Sequence, residues 1–141
     1  MPASDHELSD PQATPPGLML AVTAEGLYLA NLLLLPGLAF AVLGLLFLRR
    51  QGAPALAAAH LAQTFSASLW AGVLLVLVNV LILLLGGYEG AHTWALLITY
   101  FTICHSGLVV LGILGLAKAL AGQCWRFPLV GRALPPGCGE S

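Results

Sequence analysis

Long apolar runs alternate with short polar turns along this chain, and no run shows the strict apolar–polar alternation of a half-buried strand. Three runs, approximately residues 27–48, 65–85 and 94–117, approach the roughly 20 residues that about 30 Å of hydrocarbon requires at about 1.5 Å per residue. The pattern predicts an all-α integral membrane protein with three transmembrane helices. In the first run, eleven Leu, two Phe and one Val contribute about −4 to −8 kcal/mol of insertion free energy, at roughly −0.3 to −0.6 kcal/mol each. Asn31 and Pro36 do not reverse that sum. Residues 1–20 read as a flexible acidic, Pro-rich tail, residues 21–134 as the three-helix membrane domain, and residues 135–141 as a short C-terminal tail. The leading tail is acidic and the first run exceeds the h-region of a signal peptide, so this run is expected to be retained.

Composition narrows the function classes. Of 141 residues, 59% are hydrophobic and 8% charged, against about a quarter charged in soluble domains, which leaves too little polar surface to face water. The net charge is −1, and no basic run could track a phosphate backbone, which excludes nucleic acid as a partner. The expected partners are the lipid bilayer and other membrane-protein subunits or a second copy.

Cation placement predicts orientation. Arg49 and Arg50 follow the first run, and Lys118, Arg126 and Arg132 follow the third; none lies in the turn at residues 86–93. Lys and Arg are retained on the cytoplasmic side, so the N-terminus is expected outside and the C-terminus in the cytoplasm of a multi-pass protein of the bacterial inner membrane. Glu25, Glu89 and the tail acids then fall outside. Tyr28, Tyr88 and Trp94 would mark the outer interface. Arg49, Arg50, Lys118, Trp125, Arg126, Phe127 and Pro128 would form the inner interfacial anchor. Residues 49–64 either lie along the membrane or extend the second helix. Cys104 lies inside a span, and Cys124 and Cys138 fall on the reducing side, so no disulfide and no zinc motif is expected.

Helices in lipid associate through small residues and through polar side chains bonded across the contact. The expected packing stripes are Thr99, Thr102, His105, Ser106, Gly112 and Gly115 in the third span, Ser68, Gly72 and Asn79 in the second, and Gly37, Ala41 and Gly44 in the first. His105 is the ionisable side chain nearest mid-membrane, about 18 Å from the inner end of its run, and is therefore the candidate cofactor ligand. Its bland alternative is an imidazole satisfied on a helix carbonyl or on Thr102. A haem held by two histidines needs rings at matching depth, and neither His60 at the inner boundary nor His92 in the outer turn matches His105. No cofactor is expected. No nucleophile–base order, phosphate-cradling loop or HExxH motif is present, and Ser106 points away from His105 on a helix, so the chain is expected not to be an enzyme.

Two segments carry a family resemblance. Arg49-Arg50-Gln51-Gly52-Ala53-Pro54 leads into Ala59-His60-Leu61-Ala62-Gln63-Thr64-Phe65, a basic turn followed by a His-containing helix. The stretch from Ala117 to Leu129 reads Ala-Lys-Ala-x-x-Gly, then aromatic-Arg-aromatic-Pro-Leu. Over roughly residues 28–134 the chain resembles small bacterial membrane proteins related to the chloroplast Tic-twenty translocon subunit. It departs from them in having Arg49-Arg50-Gln51 in place of a Lys-Asp-Glu-rich turn and Thr64-Phe65 in place of an Asn-Phe pair. The resemblance implies a three-span fold without an assigned activity in bacteria. The functional expectation is a non-enzymatic accessory, assembly or scaffold subunit of a larger respiratory, photosynthetic or transport complex. The alternatives are an oligomeric translocation component and a haem- or quinone-associated anchor using His105.

Overall fold

In the computed structural model, which describes residues 13–138, the first predicted span is two helices rather than one. Helix α1 covers Leu18–Leu33 and α2 covers Leu38–Leu48. Two longer helices follow, α3 at Ala55–Gly86 and α4 at Ala91–Leu120, and both are long and apolar enough to cross a membrane. At about 1.5 Å per residue they extend about 48 and 45 Å, whereas α1 and α2 reach only about 24 and 16 Å. Every regular element among the described residues is helical. Most of the tail expected at residues 1–20 lies outside the described residues; helix α1 has already begun at Leu18.

Local chemistry sets each boundary. Pro36 cannot continue a helix, and Gly37 at φ +90° takes a backbone conformation that L side chains rarely adopt. The Asn31 carboxamide oxygen accepts the Gly37 N–H at 3.0 Å, so the break carries its own cap. Pro54 precedes α3, and Gly87 at φ +75° ends it. Helix α4 closes in a Schellman arrangement around Gly122 at φ +67°, with Gln123 N–H donating to Lys118 O and Gly122 N–H to Ala119 O, both at 2.9 Å. A single π turn at Val73–Leu77 interrupts α3. Residues 49–64 do not form a separate interfacial helix: from Ala55 onward they are the start of α3.

Helices α1 and α2 form a hairpin that leaves and returns to one end of the long pair. A methyl group added to Gly17 would lie 2.9 Å from Ala57 Cβ, and one added to Gly122 would lie 2.8 Å from Pro15 Cγ. The start of α1, the start of α3 and the end of α4 therefore meet. Further along, a methyl on Gly112 would lie 2.6 Å from Leu29 Cδ2, and Phe40 and Phe47 of the returning α2 both stack on Phe65 of α3. This replaces the expected layout of a first span with its ends on opposite sides. The continuous-span sum counts hydrophobicity but not the Pro36–Gly37 break.

The buried core sits in the half of the bundle where all four helices coexist. Its clusters are Ala21, Leu56 and Ala119; Ala24, Leu43 and Leu61; and Tyr28, Ala67 and Phe127. Beyond Ala71, α3 has no buried residue up to Gly86, and its flanks are apolar and exposed. There only α3 and α4 face each other, joined by Tyr100 OH donating to Leu74 O at 3.1 Å and by Thr93 Oγ1 donating to Gly86 O at 2.7 Å.

Candidate functional site

At the crowded end, a carboxyl and an imidazole are buried together. Glu25 of α1 and His60 of α3 are both fully buried, with Glu25 Oε1 2.6 Å from His60 Nδ1. The opposite ring nitrogen, His60 Nε2, lies 3.0 Å from Gln123 O. A carbonyl oxygen only accepts, so Nε2 carries a proton and donates it to Gln123. Nδ1 then either accepts the Glu25 carboxylic proton or donates to the Glu25 carboxylate. In both arrangements the pair is electrically neutral as a unit, which limits the cost of taking it out of water. Glu25 Oε2 has no hydrogen-bond partner among the described residues and lies against Gly115 of α4, where an added methyl would come 2.5 Å from it. The absent Cβ at Gly115 is what allows α4 to close over the pair.

The same end is laced to the segment that follows α4. The Gln63 carboxamide donates to Arg132 O at 2.7 Å and accepts from Arg132 N–H at 3.0 Å, a two-point clamp on the backbone. Ser66 Oγ donates to Val130 O at 2.9 Å, and Tyr28 OH donates to Leu108 O at 3.1 Å. Phe127, 1% exposed, packs edge-on to Tyr28 with ring centroids 5.6 Å apart. A methyl on Gly131 would lie 2.5 Å from Gln63 Oε1, so only glycine fits beneath the clamp. Two segments far apart in the sequence thus meet: His60, Gln63 and Ser66 of α3 bond Gln123, Arg132 and Val130 of the chain that follows α4.

Several sequence expectations are corrected at this end. Glu25 is not on the opposite side from the cations; it is buried beside His60. Tyr28 is not an outer interfacial marker, and Phe127 is not at an inner interface. Both are core residues, because Tyr28 of α1 packs into the space beside Gly112 and the C-terminal segment folds back to bring Phe127 over Gly115. Cys124 and Cys138 are disulfide-bonded, with Cα atoms 5.6 Å apart, contrary to the expectation of unpaired thiols. The Gly122 turn and the return along α3 bring Cys138 Sγ to 3.4 Å from Ala55 O, a proximity that a separation of 14 residues does not reveal. Of the remaining anchor residues, Arg49, Lys118, Arg126 and Pro128 are exposed, Trp125 is half-buried, and Arg50 lays its guanidinium 3.7 Å over the Phe47 ring.

The expected packing stripe divides in two. Gly112 lies on the seam of α4 formed by Leu108, Gly112, Gly115 and Ala119, against α1 and the C-terminal segment. Thr99, Thr102 and Ser106 are exposed. At about 100° per residue they fall about 120–180° around the helix from that seam, so the one helix cannot press both sets inward. Asn79 donates back to Leu75 O at 2.8 Å within α3 instead of bonding across a contact. At the other end, Tyr88 and Trp94 do flank the α3–α4 turn, with Trp94 Nε1 donating to Tyr88 O at 2.8 Å.

His105 is half-buried in a groove of about 460 Å³ beside the α1–α2 break. Asn31, Pro36 and Phe40 of the hairpin, Ser68 of α3, and Phe101 and His105 of α4 line it. His105 stacks on Phe101 with centroids 5.3 Å apart and planes within 10°. His105 Nδ1 and Ser68 Oγ are buried and have no hydrogen-bond partner among the described residues. The imidazole is therefore not satisfied on Thr102, which is exposed.

These features define a helical chain with two helices long and apolar enough to cross a membrane, a short helical hairpin beside them, and a C-terminal segment sealed over one end. The chain matches no family model, no curated protein and no solved structure.

Proposed function

We propose that this chain is a non-enzymatic accessory, assembly or scaffold subunit of a larger membrane complex. The observation that carries the reading is the use of the buried polar groups: Glu25, His60, Gln63 and Ser66 are spent on holding α1 and the C-terminal segment to α3. The pair is closed over by Gly115 and Gln123, which leaves it as a structural lock. What the chain offers outward is apolar helix surface on the far halves of α3 and α4 and a face bearing Arg49, Lys118, Arg126 and Arg132.

In a bilayer, α3 and α4 are the two spans, and α1–α2 is a re-entrant hairpin whose tip is exposed, with the Gly37 N–H satisfied by Asn31. The five Lys and Arg residues then share one side with both ends of the described chain, and cation retention makes that side cytoplasmic. Purification in mild detergent tests the function: stoichiometric membrane-protein partners support it, and a stable solitary monomer refutes it. Reporters fused at the two termini test the layout separately, since the hairpin requires them on the same side.

A further inference from the structure

Two residues that line the groove at the hairpin tip, Ser68 and His105, each carry a buried polar atom without a partner among the described residues, and Asn31 is the one other polar side chain in the lining. Ser68 is 4% exposed, and its hydroxyl bonds neither to the preceding turn of α3 nor across to α4 among the described residues. His105 Nδ1 is in the same condition. A buried polar group left unpaired loses the hydrogen bonds that water would have made to it, so two beside one cavity favour a guest that supplies oxygen acceptors. The cavity shape restricts that guest further. Phe101 and His105, stacked with their planes within 10°, both line it, and Phe40 contributes another aromatic side chain held by its own stack on Phe65 at 5.6 Å. The volume of about 460 Å³ suits a small-molecule site.

We infer that the groove binds a quinone-class membrane carrier: a flat, uncharged ring with two carbonyl oxygens and an apolar tail. Ser68 Oγ–H and His105 in its Nδ1–H form are the two donors, one for each carbonyl. The ring lies beside the Phe101–His105 stack, and the tail leaves past exposed Leu69 and Val76, which also line the groove. No charge is buried, which matches an apolar site without a Lys, Arg, Asp or Glu in its lining. The binding role rests on the membrane reading, which gives such a molecule access to the groove from the hydrocarbon, and makes the chain a holder of the carrier rather than its chemist.

The test uses the intact purified chain in nanodiscs of zwitterionic lipid and a benzoquinone bearing a decyl tail. Tryptophan quenching reports binding, since Trp70 follows lining residue Leu69. Saturable binding is expected, weakened about five- to tenfold by Ser68→Ala and by His105→Phe and unchanged by Thr99→Ala on the opposite face of α4, each loss corresponding to one hydrogen bond. Helicity and monodispersity of each variant exclude misfolding as the cause. Non-saturable partitioning, or saturable binding that neither substitution weakens, overturns the inference. Equal competition by a plain fatty acid also overturns it, identifying the groove as an acyl-chain slot. None of these results depends on co-purifying partners, so the quinone site and the accessory role fail independently.

Discussion

Replacing the buried pair one partner at a time should reveal a coupling larger than any single contact elsewhere in the protein. In His60→Leu, the Glu25 carboxyl stays fully buried with Oε2 already unpartnered and now loses its bond to Nδ1. Orphaning a buried ionisable group costs about 3–5 kcal/mol. In Glu25→Leu, the imidazole remains neutral with Nε2 still donating to Gln123, and only Nδ1 is orphaned, which costs about 1–3 kcal/mol. Removing both leaves no orphan. The double variant loses only the bond to Gln123 O, whose residue is exposed and whose carbonyl can turn to water, so about 1–2 kcal/mol is expected. Stability of the three variants in detergent, followed by circular dichroism through a reversible denaturant titration, gives the cycle. The double variant should be more stable than His60→Leu alone. Additive losses, or single variants within about 0.5 kcal/mol of the parent, would refute the claim that Glu25 and His60 act as one neutral unit.

Three other outcomes follow from the geometry. Gly115→Ala puts a methyl group 2.5 Å from Glu25 Oε2 and 2.7 Å from Phe127 Cε1 and should cost about 1–3 kcal/mol, whereas Gly107→Ala, with nothing within 4 Å, should be neutral or stabilising by up to about 1 kcal/mol; thermal unfolding of the two distinguishes them. Maleimide counting on the denatured, unreduced chain should find one thiol, Cys104, rising to three after reduction, and three from the start would show that Cys124 and Cys138 are unpaired. Cysteines placed at Thr99, Thr102 and Ser106 should resist water-soluble thiol reagents and react with a lipid-soluble one; uniform reaction with the water-soluble reagent would instead indicate a wet path along that face of α4.

The disulfide and the cations pull in different directions on compartment. In the proposed layout the positive residues gather on the cytoplasmic side, while a disulfide persists in an oxidising space. Thiol counting on protein isolated under alkylating conditions, combined with the terminal reporters, decides between a cytoplasmic face with reduced thiols and an inverted chain with the bond formed.

Much of the helical character was legible from residue order alone. Apolar runs of about 20 residues announce helices in lipid whatever they pack against, because an unpaired backbone in hydrocarbon is prohibitive and a helix satisfies its own. The exit at Gly122 and the aromatic pair at the α3–α4 turn were likewise local, depending on neighbours within a few positions. The fate of the first run was not. Its hydrophobicity sum is indifferent to direction, and the reversal depends on Asn31 capping Gly37 after Pro36, a side-chain-to-backbone hydrogen bond that exists only once the chain has turned.

The site was hidden for a related reason. His60, Gln63 and the closing motif were visible as segments, yet Glu25 is 35 residues from His60, and Gln123 is 63 residues from it. Nothing in the local pattern of α1 distinguishes a carboxyl meant for water from one meant for an imidazole. Residue order determined that this chain is helical and apolar and where its cations lie, because those properties belong to short stretches. Which glycines form a seam, which ionisable groups become partners and where the chain doubles back were decided only by tertiary packing, because each requires a specific close approach between surfaces distant along the chain.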